Sequence, residues 1–164
     1  MILGMTAFTF VHVLISLVAI ASGMVVGLGL VGGKRMDGLT ALFLTTTVLT
    51  SVTGFLFPYK GVTPGIIVGI ISMVMLAIAI YARYPKQMAG GWRKTYVITA
   101  MIALWLNVFV LLVQSFEKVP ALHALAPTQK EPPFAIAQVT VMLIFIIWTV
   151  LAAKRFHSQS LAIA

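Results

Sequence analysis

Charged residues punctuate this chain in clusters instead of alternating with apolar ones. Stretches free of Asp, Glu, Lys and Arg run over 1–33, 38–59, 61–82, 95–116 and 132–153, and the last four are 22 residues each. A helix needs about 20 apolar residues to cross the hydrocarbon of a bilayer, so each of those four suits one crossing and is too short for two. No ten-residue block alternates with the period of two that a membrane-barrel strand requires. The pattern predicts an all-α integral membrane bundle, one domain over 1–164, with five transmembrane helices at about 6–31, 38–58, 63–82, 95–116 and 134–153. The N-terminus is apolar from Met1 with no basic leader, so the first stretch reads as a permanent span.

With five spans, one side of the membrane receives Lys34, Arg35, Arg83, Lys86, Arg93, Lys94, Lys154 and Arg155, while the other receives only Lys60, Lys118 and Lys130. The positive-inside rule then predicts an N-terminus outside and a C-terminus in the cytoplasm. Tyr81, Tyr84, Trp92 and Tyr96 are expected at the inner interface, and Phe55, Phe57 and Tyr59 at the outer one. Pro64 suits a first helical turn. An odd number of spans without internal repeats argues against two inverted halves, and so against a self-contained alternating-access transporter.

Composition supports the same solvent. The chain is 61% hydrophobic and only 9% charged, where soluble domains carry about 25% charge, and its mean hydropathy is +1.10. The net charge of +8 is accounted for by orientation and contact with anionic headgroups, and no nucleic-acid partner is expected. With no cysteine, disulfides, thiolate nucleophiles, iron–sulfur clusters and cysteine-ligated zinc are excluded.

Small and hydroxylated residues suggest how the spans meet. Ala19, Gly23 and Gly27 recur every four residues in the first helix, with His12 and Ser16 on the same face, and Gly65 and Gly69 form a shorter pair in the third. Such rows let backbones approach closely. The second helix carries a Thr46, Thr50, Thr53 stripe among seven hydroxyls, expected to bond back to its own carbonyls.

No Asp, Glu, Lys or Arg falls inside an expected span, which argues against a proton pump, a voltage sensor or a carrier of charged substrates. The remaining intramembrane polar residues are His12, Asn107, Gln114 and Gln138. His12, Gln114 and Gln138 fall towards the outer leaflet and Asn107 deeper, so the four are the candidate ligand-binding set, sharing one outward-facing pocket if their helices are neighbours. The loop 117–133 lies over that region with four prolines, and a short helix is expected near Pro120. The loop would serve as a connector, a lid or a docking surface. Glu117, His123 and Glu131 lack metal-ligand spacing, and no catalytic motif is present. A neutral ligand such as a quinone would need only a His or Gln donor and an apolar channel. Heme would need a second axial ligand beside His12.

The stretches DGLTALFLTTTVLTSVTGFLFP (37–58), VGIISMVMLAIAIYARY (68–84) and LNVFVLLVQSFEKVPALHALAPTQKEPPF (106–134) resemble an uncharacterised family of small bacterial inner-membrane proteins, over about residues 8–156. The resemblance implies a bacterial inner membrane and no activity, cofactor or site residue. The expectation is a non-enzymatic membrane protein, an accessory subunit or small-ligand binder, working as a homo-oligomer or in a larger membrane complex. The alternatives are electron transfer through quinone or heme near His12, and a small oligomeric transporter.

Overall fold

The computed structural model describes residues 6–58, 61 and 63–157. Tyr59 and Lys60, assigned above to the outer side, lie outside the described residues. The helices are α1 (Ala7–Val31), α2 (Asp37–Phe55), α3 (Pro64–Arg83), α4 (Trp92–Lys118), α5 (Pro120–Leu125) and α6 (Pro132–Arg155). Five of these six, all but the short α5, are long and apolar enough to cross a membrane.

Helix ends follow local chemistry. The Thr6 hydroxyl accepts from the Thr9 N–H at 3.2 Å to cap α1, and the Thr63 hydroxyl accepts from the Ile66 N–H at 3.4 Å to cap α3 ahead of Pro64. α2 stops at Phe55, shortly before Pro58, which disfavours helical geometry in the residue preceding it. Elsewhere the helices overrun the charge-free stretches. α4 begins at Trp92 and ends on Lys118, and α6 carries Lys154 and Arg155 in its last turn. At about 1.5 Å per residue the 27-residue α4 is about 40 Å long, against about 30 Å of hydrocarbon. Its charged terminal turns therefore reach headgroup depth.

Successive spans alternate in direction, consistent with the contacts His12–Thr53, Asp37–Arg83 and Arg93–Ala153. α4 is the axis, packing against α1, α2, α3, α5 and α6. Its Tyr96, Val97, Ala100, Met101 and Leu104 are buried against Phe43 and Leu44 of α2, Leu76 and Ala79 of α3, and Val26 and Leu30 of α1. α6 closes against α1 and α4 and buries only Phe145 and Ala152.

The small residues set the approach of the helices. A Cβ on Gly23 would stand 2.5 Å from Leu104 and 2.8 Å from Phe43, and one on Gly27 would stand 2.7 Å from the Trp148 ring. Gly69 admits the Phe55 ring in the same way at 2.8 Å, whereas Gly65 is exposed. Four of the α2 hydroxyls return their protons to the helix, whereas the Thr50 hydroxyl, expected to do the same, is buried without a partner among the described residues. Thr46 donates to Leu42 O, Thr47 to Phe43 O, Ser51 to Thr47 O and Thr53 to Leu49 O.

Two residues read as interfacial turn inward. Tyr96 is fully buried, not part of an aromatic belt, and Arg83 is only 3% exposed. The belt is left to Tyr81, Tyr84 and Trp92, all exposed, with the Lys86 ammonium 5.5 Å and 5.7 Å from the Tyr81 and Trp92 ring centres. The α3–α4 turn reverses through Gln87 and Met88 at φ +48° and +56°. Non-glycine residues adopt that region at a cost, and here it drives the Met88 side chain into full burial beside Arg83.

Candidate functional site: polar groups at two depths of the bundle

The alternating helices sort the loops onto two faces. One carries α5 with the starts of α1, α3 and α6. The other, the cationic face, carries the α1–α2 and α3–α4 turns and the end of α6.

Towards the α5 face the four predicted residues take separate partners. His12 lies on α1 with Nδ1 2.7 Å from the Thr53 hydroxyl of α2. With the Thr53 proton directed to Leu49 O, Nδ1–H is the donor, and the Nε2 lone pair carries no hydrogen bond among the described residues. The Phe57 ring stands edge-on to the imidazole at 5.0 Å and is itself 5.0 Å from Phe8. Asn107, one to two turns deeper, donates from Nδ2 to the Thr47 hydroxyl at 3.4 Å, joining α4 to α2. Gln138 donates from Nε2 to the Phe109 carbonyl at 3.2 Å, joining α6 to α4. Gln114 is exposed. The four residues thus mark three separate helix seams and one outward position. None of them lines either of two surface grooves of the bundle, one between α2 and α3 and one between α1 and α6.

Four buried polar atoms lack a hydrogen-bond partner among the described residues: the Thr50 and Tyr96 hydroxyls, the Trp105 indole N–H and Gln138 Oε1. The last two, on Trp105 and Gln138, share a neighbour. Phe109 borders both, since its carbonyl accepts from Gln138 and its ring centre lies 5.9 Å from that of Trp105. An unmatched acceptor and an unmatched donor in hydrocarbon are each costly. The sequence reading missed Trp105 because indole was counted as apolar. Its N–H needs a partner once buried, and its place one turn before Phe109 on the Asn107 helix was the available signal.

The loop above is ordered by its own polar groups. α5 exposes Leu125 beside the exposed Val119 that precedes it, while the His123 ring lies 3.3 Å from Phe116 O and Gln129 donates to Val113 O at 3.0 Å. Desolvation pushes the Glu131 carboxyl up, but the Thr128 hydroxyl and the N–H groups of Glu131, Thr128 and Lys130 more than offset it and hold it below its ordinary value. Glu117 pairs with Lys118, and no cluster of three metal-ligating side chains occurs among the described residues.

At the cationic face the sequence reading also missed an ion pair whose cation is buried and whose carboxylate is exposed. The Arg83 guanidinium bonds Asp37 Oδ1, which also accepts from Arg35 at 2.9 Å. It lies 5.0 Å from the Tyr96 ring centre, and Nη1 is 3.8 Å from Met88 Sδ. A buried cation held by a carboxylate, an aromatic face and a sulfur is fully employed, so this cluster ties α2, α3 and α4 together and leaves little to offer a ligand.

Comparison of the chain with protein-family models, curated proteins and solved structures finds no match.

Proposed function

We propose that this chain is a non-enzymatic, multi-pass protein of a bacterial inner membrane that binds a small neutral amphiphile at the seam of α4 and α6. The observation that carries the reading is the pair of unmatched buried groups beside Phe109, the Trp105 N–H and Gln138 Oε1. A ligand with one acceptor and one donor would satisfy both, and the absence of charge inside the spans favours a neutral headgroup. Gln138 is six residues into α6, about 9 Å from its start, so the ligand would enter from the leaflet beside α5. The excess of cations on the opposite face supports an α5 face directed outward.

The test is mass spectrometry of small molecules that co-purify with the protein in native lipid. One neutral species is expected to be enriched over the bulk extract. Gln138→Leu and Trp105→Phe should each weaken its retention by about tenfold, one buried hydrogen bond being worth about 1.5 kcal/mol. Retention identical in both variants, or a composition equal to bulk lipid, overturns the reading.

A redox role for the same seam has one point in its favour. A quinone carbonyl accepts and a quinol hydroxyl donates, which are the two functions the seam lacks. A role centred on His12 has less support, because its Nδ1 is engaged by Thr53 and an aromatic ring lies against the imidazole.

A further inference from the structure

We infer that the groove between α1 and α6 holds one acyl chain of an anionic phospholipid, with the headgroup bound by Lys34, Lys154 and Arg155. The groove has a volume of about 460 Å³, within the range of ligand clefts. Its α1 wall is Met24, Leu28 and Val31, spaced as one helical stripe that runs about 10 Å along the axis towards the cationic face. Its α6 wall is the stripe Ile144, Ile147, Trp148 and Leu151. The Trp148 ring seats on Gly27, where a Cβ would stand 2.7 Å from Cζ2. Trp148 therefore holds the two helices in register while the remaining side chains leave a shallow apolar groove on the bundle surface.

What identifies the occupant is the charge at the mouth. Lys154 and Arg155 follow Leu151 by three and four residues, so they continue the groove stripe by one turn. Lys34 follows Val31 by three residues in the α1–α2 turn. That turn abuts the end of α6, since the Cβ position of Gly33 is 3.8 Å from Arg155 O. All three cations are exposed. None has a carboxylate among the described residues. The chain has only three acidic side chains. Asp37 is engaged by Arg35 and Arg83, and Glu117 and Glu131 belong to the α5 face. An apolar groove ending in three unmatched cations is complementary to a lipid with a negative headgroup, as basic pockets between membrane helices generally are. A zwitterionic lipid would fill the groove and leave the cations unneutralised. A second copy in parallel would bring the cations of both copies together at a cost.

The test uses the full chain in mixed micelles with equal phosphatidylglycerol and phosphatidylcholine, reading bound lipid by native mass spectrometry. Phosphatidylglycerol should be preferred by on the order of a hundredfold, at about 1 kcal/mol for each cation. The variant Lys34→Gln/Lys154→Gln/Arg155→Gln, altered only at exposed positions, should bring the preference close to unity. In a Trp92→Phe/Trp105→Phe background, brominated phosphatidylglycerol should quench Trp148 fluorescence at far lower concentration than brominated phosphatidylcholine. Equal retention of the two lipids, or a preference that survives the triple substitution, overturns the inference. So does a dimer that dissociates when Leu28→Trp fills the groove while lipid preference stays unchanged, since the groove would then belong to a second copy.

Discussion

Arg83 illustrates how one side chain decides the register of three helices. Its guanidinium is buried, its counter-ion Asp37 is largely exposed, and the Tyr96 ring supports it from α4. Removing the carboxylate leaves a buried guanidinium whose only replacement partner is water entering at the exposed Asp37 position. Asp37→Asn is therefore expected to lower stability by on the order of 3 kcal/mol, the low end for a broken buried pair because Asp37 itself stays wet. Thermal unfolding in detergent checks this, and Asp37→Asn/Arg83→Met should recover most of the loss. An Asp37→Asn protein as stable as the parent would show that the pair is idle. Nothing in the one-dimensional pattern separates Arg83 from Lys86, since both follow the same uncharged run. Arg83 is buried because it lies four, seven and eleven residues beyond Ala79, Leu76 and Ser72, on the inward stripe of α3.

At the scale of the element, α1 carries a notch that the core depends on. Gly23 faces Leu104 and Phe43, and the space that a larger side chain would need is already occupied. Gly23→Val is expected to cost about 3 kcal/mol or more by overpacking, lowering the unfolding temperature. Gly38 is the control, since a Cβ there meets nothing within 4 Å and the residue lies in the first turn of α2. Gly38→Ala should be neutral, or stabilising by up to about 1 kcal/mol. A Gly23→Val protein that unfolds with the Gly38→Ala one would show that α1 repacks freely. The five long helices and the Ala19–Gly23–Gly27 row were legible because length, charge spacing and small-residue periodicity suffice for them. The site was less so, because it depends on rotation about each axis. Gln114 and Gln138 come from adjacent helices near the same face, yet one points outward and the other into the α4–α6 seam. His12 meets Thr53 of α2 instead of a glutamine because neighbour order is a property of the assembled bundle.

For the whole molecule, the proposed orientation is open to a direct check. The chain has no cysteine, so a single introduced thiol reports without background. Ala124 on α5 and Ala89 in the α3–α4 turn are both exposed and sit on opposite faces. In intact cells a membrane-impermeant maleimide is expected to modify Ala124→Cys and spare Ala89→Cys, with both modified after permeabilisation. The reverse pattern would invert the topology and move the Trp105–Gln138 seam to the cytoplasmic leaflet.

The central place of α4 also constrains how the chain is made. Synthesis delivers α1, α2 and α3 to the bilayer before the helix that all of them pack around. Until it emerges, the Gly23 notch has no Leu104 to fill it, and the Thr47 hydroxyl waits for Asn107. The early intermediate is thus a loose trio with an open centre, and assembly becomes cooperative only when the fourth span threads in. A nascent chain stalled before residue 92 would hold the first three spans but lack the centre they pack around, a form suited to disposal by quality-control proteases and unable to mature.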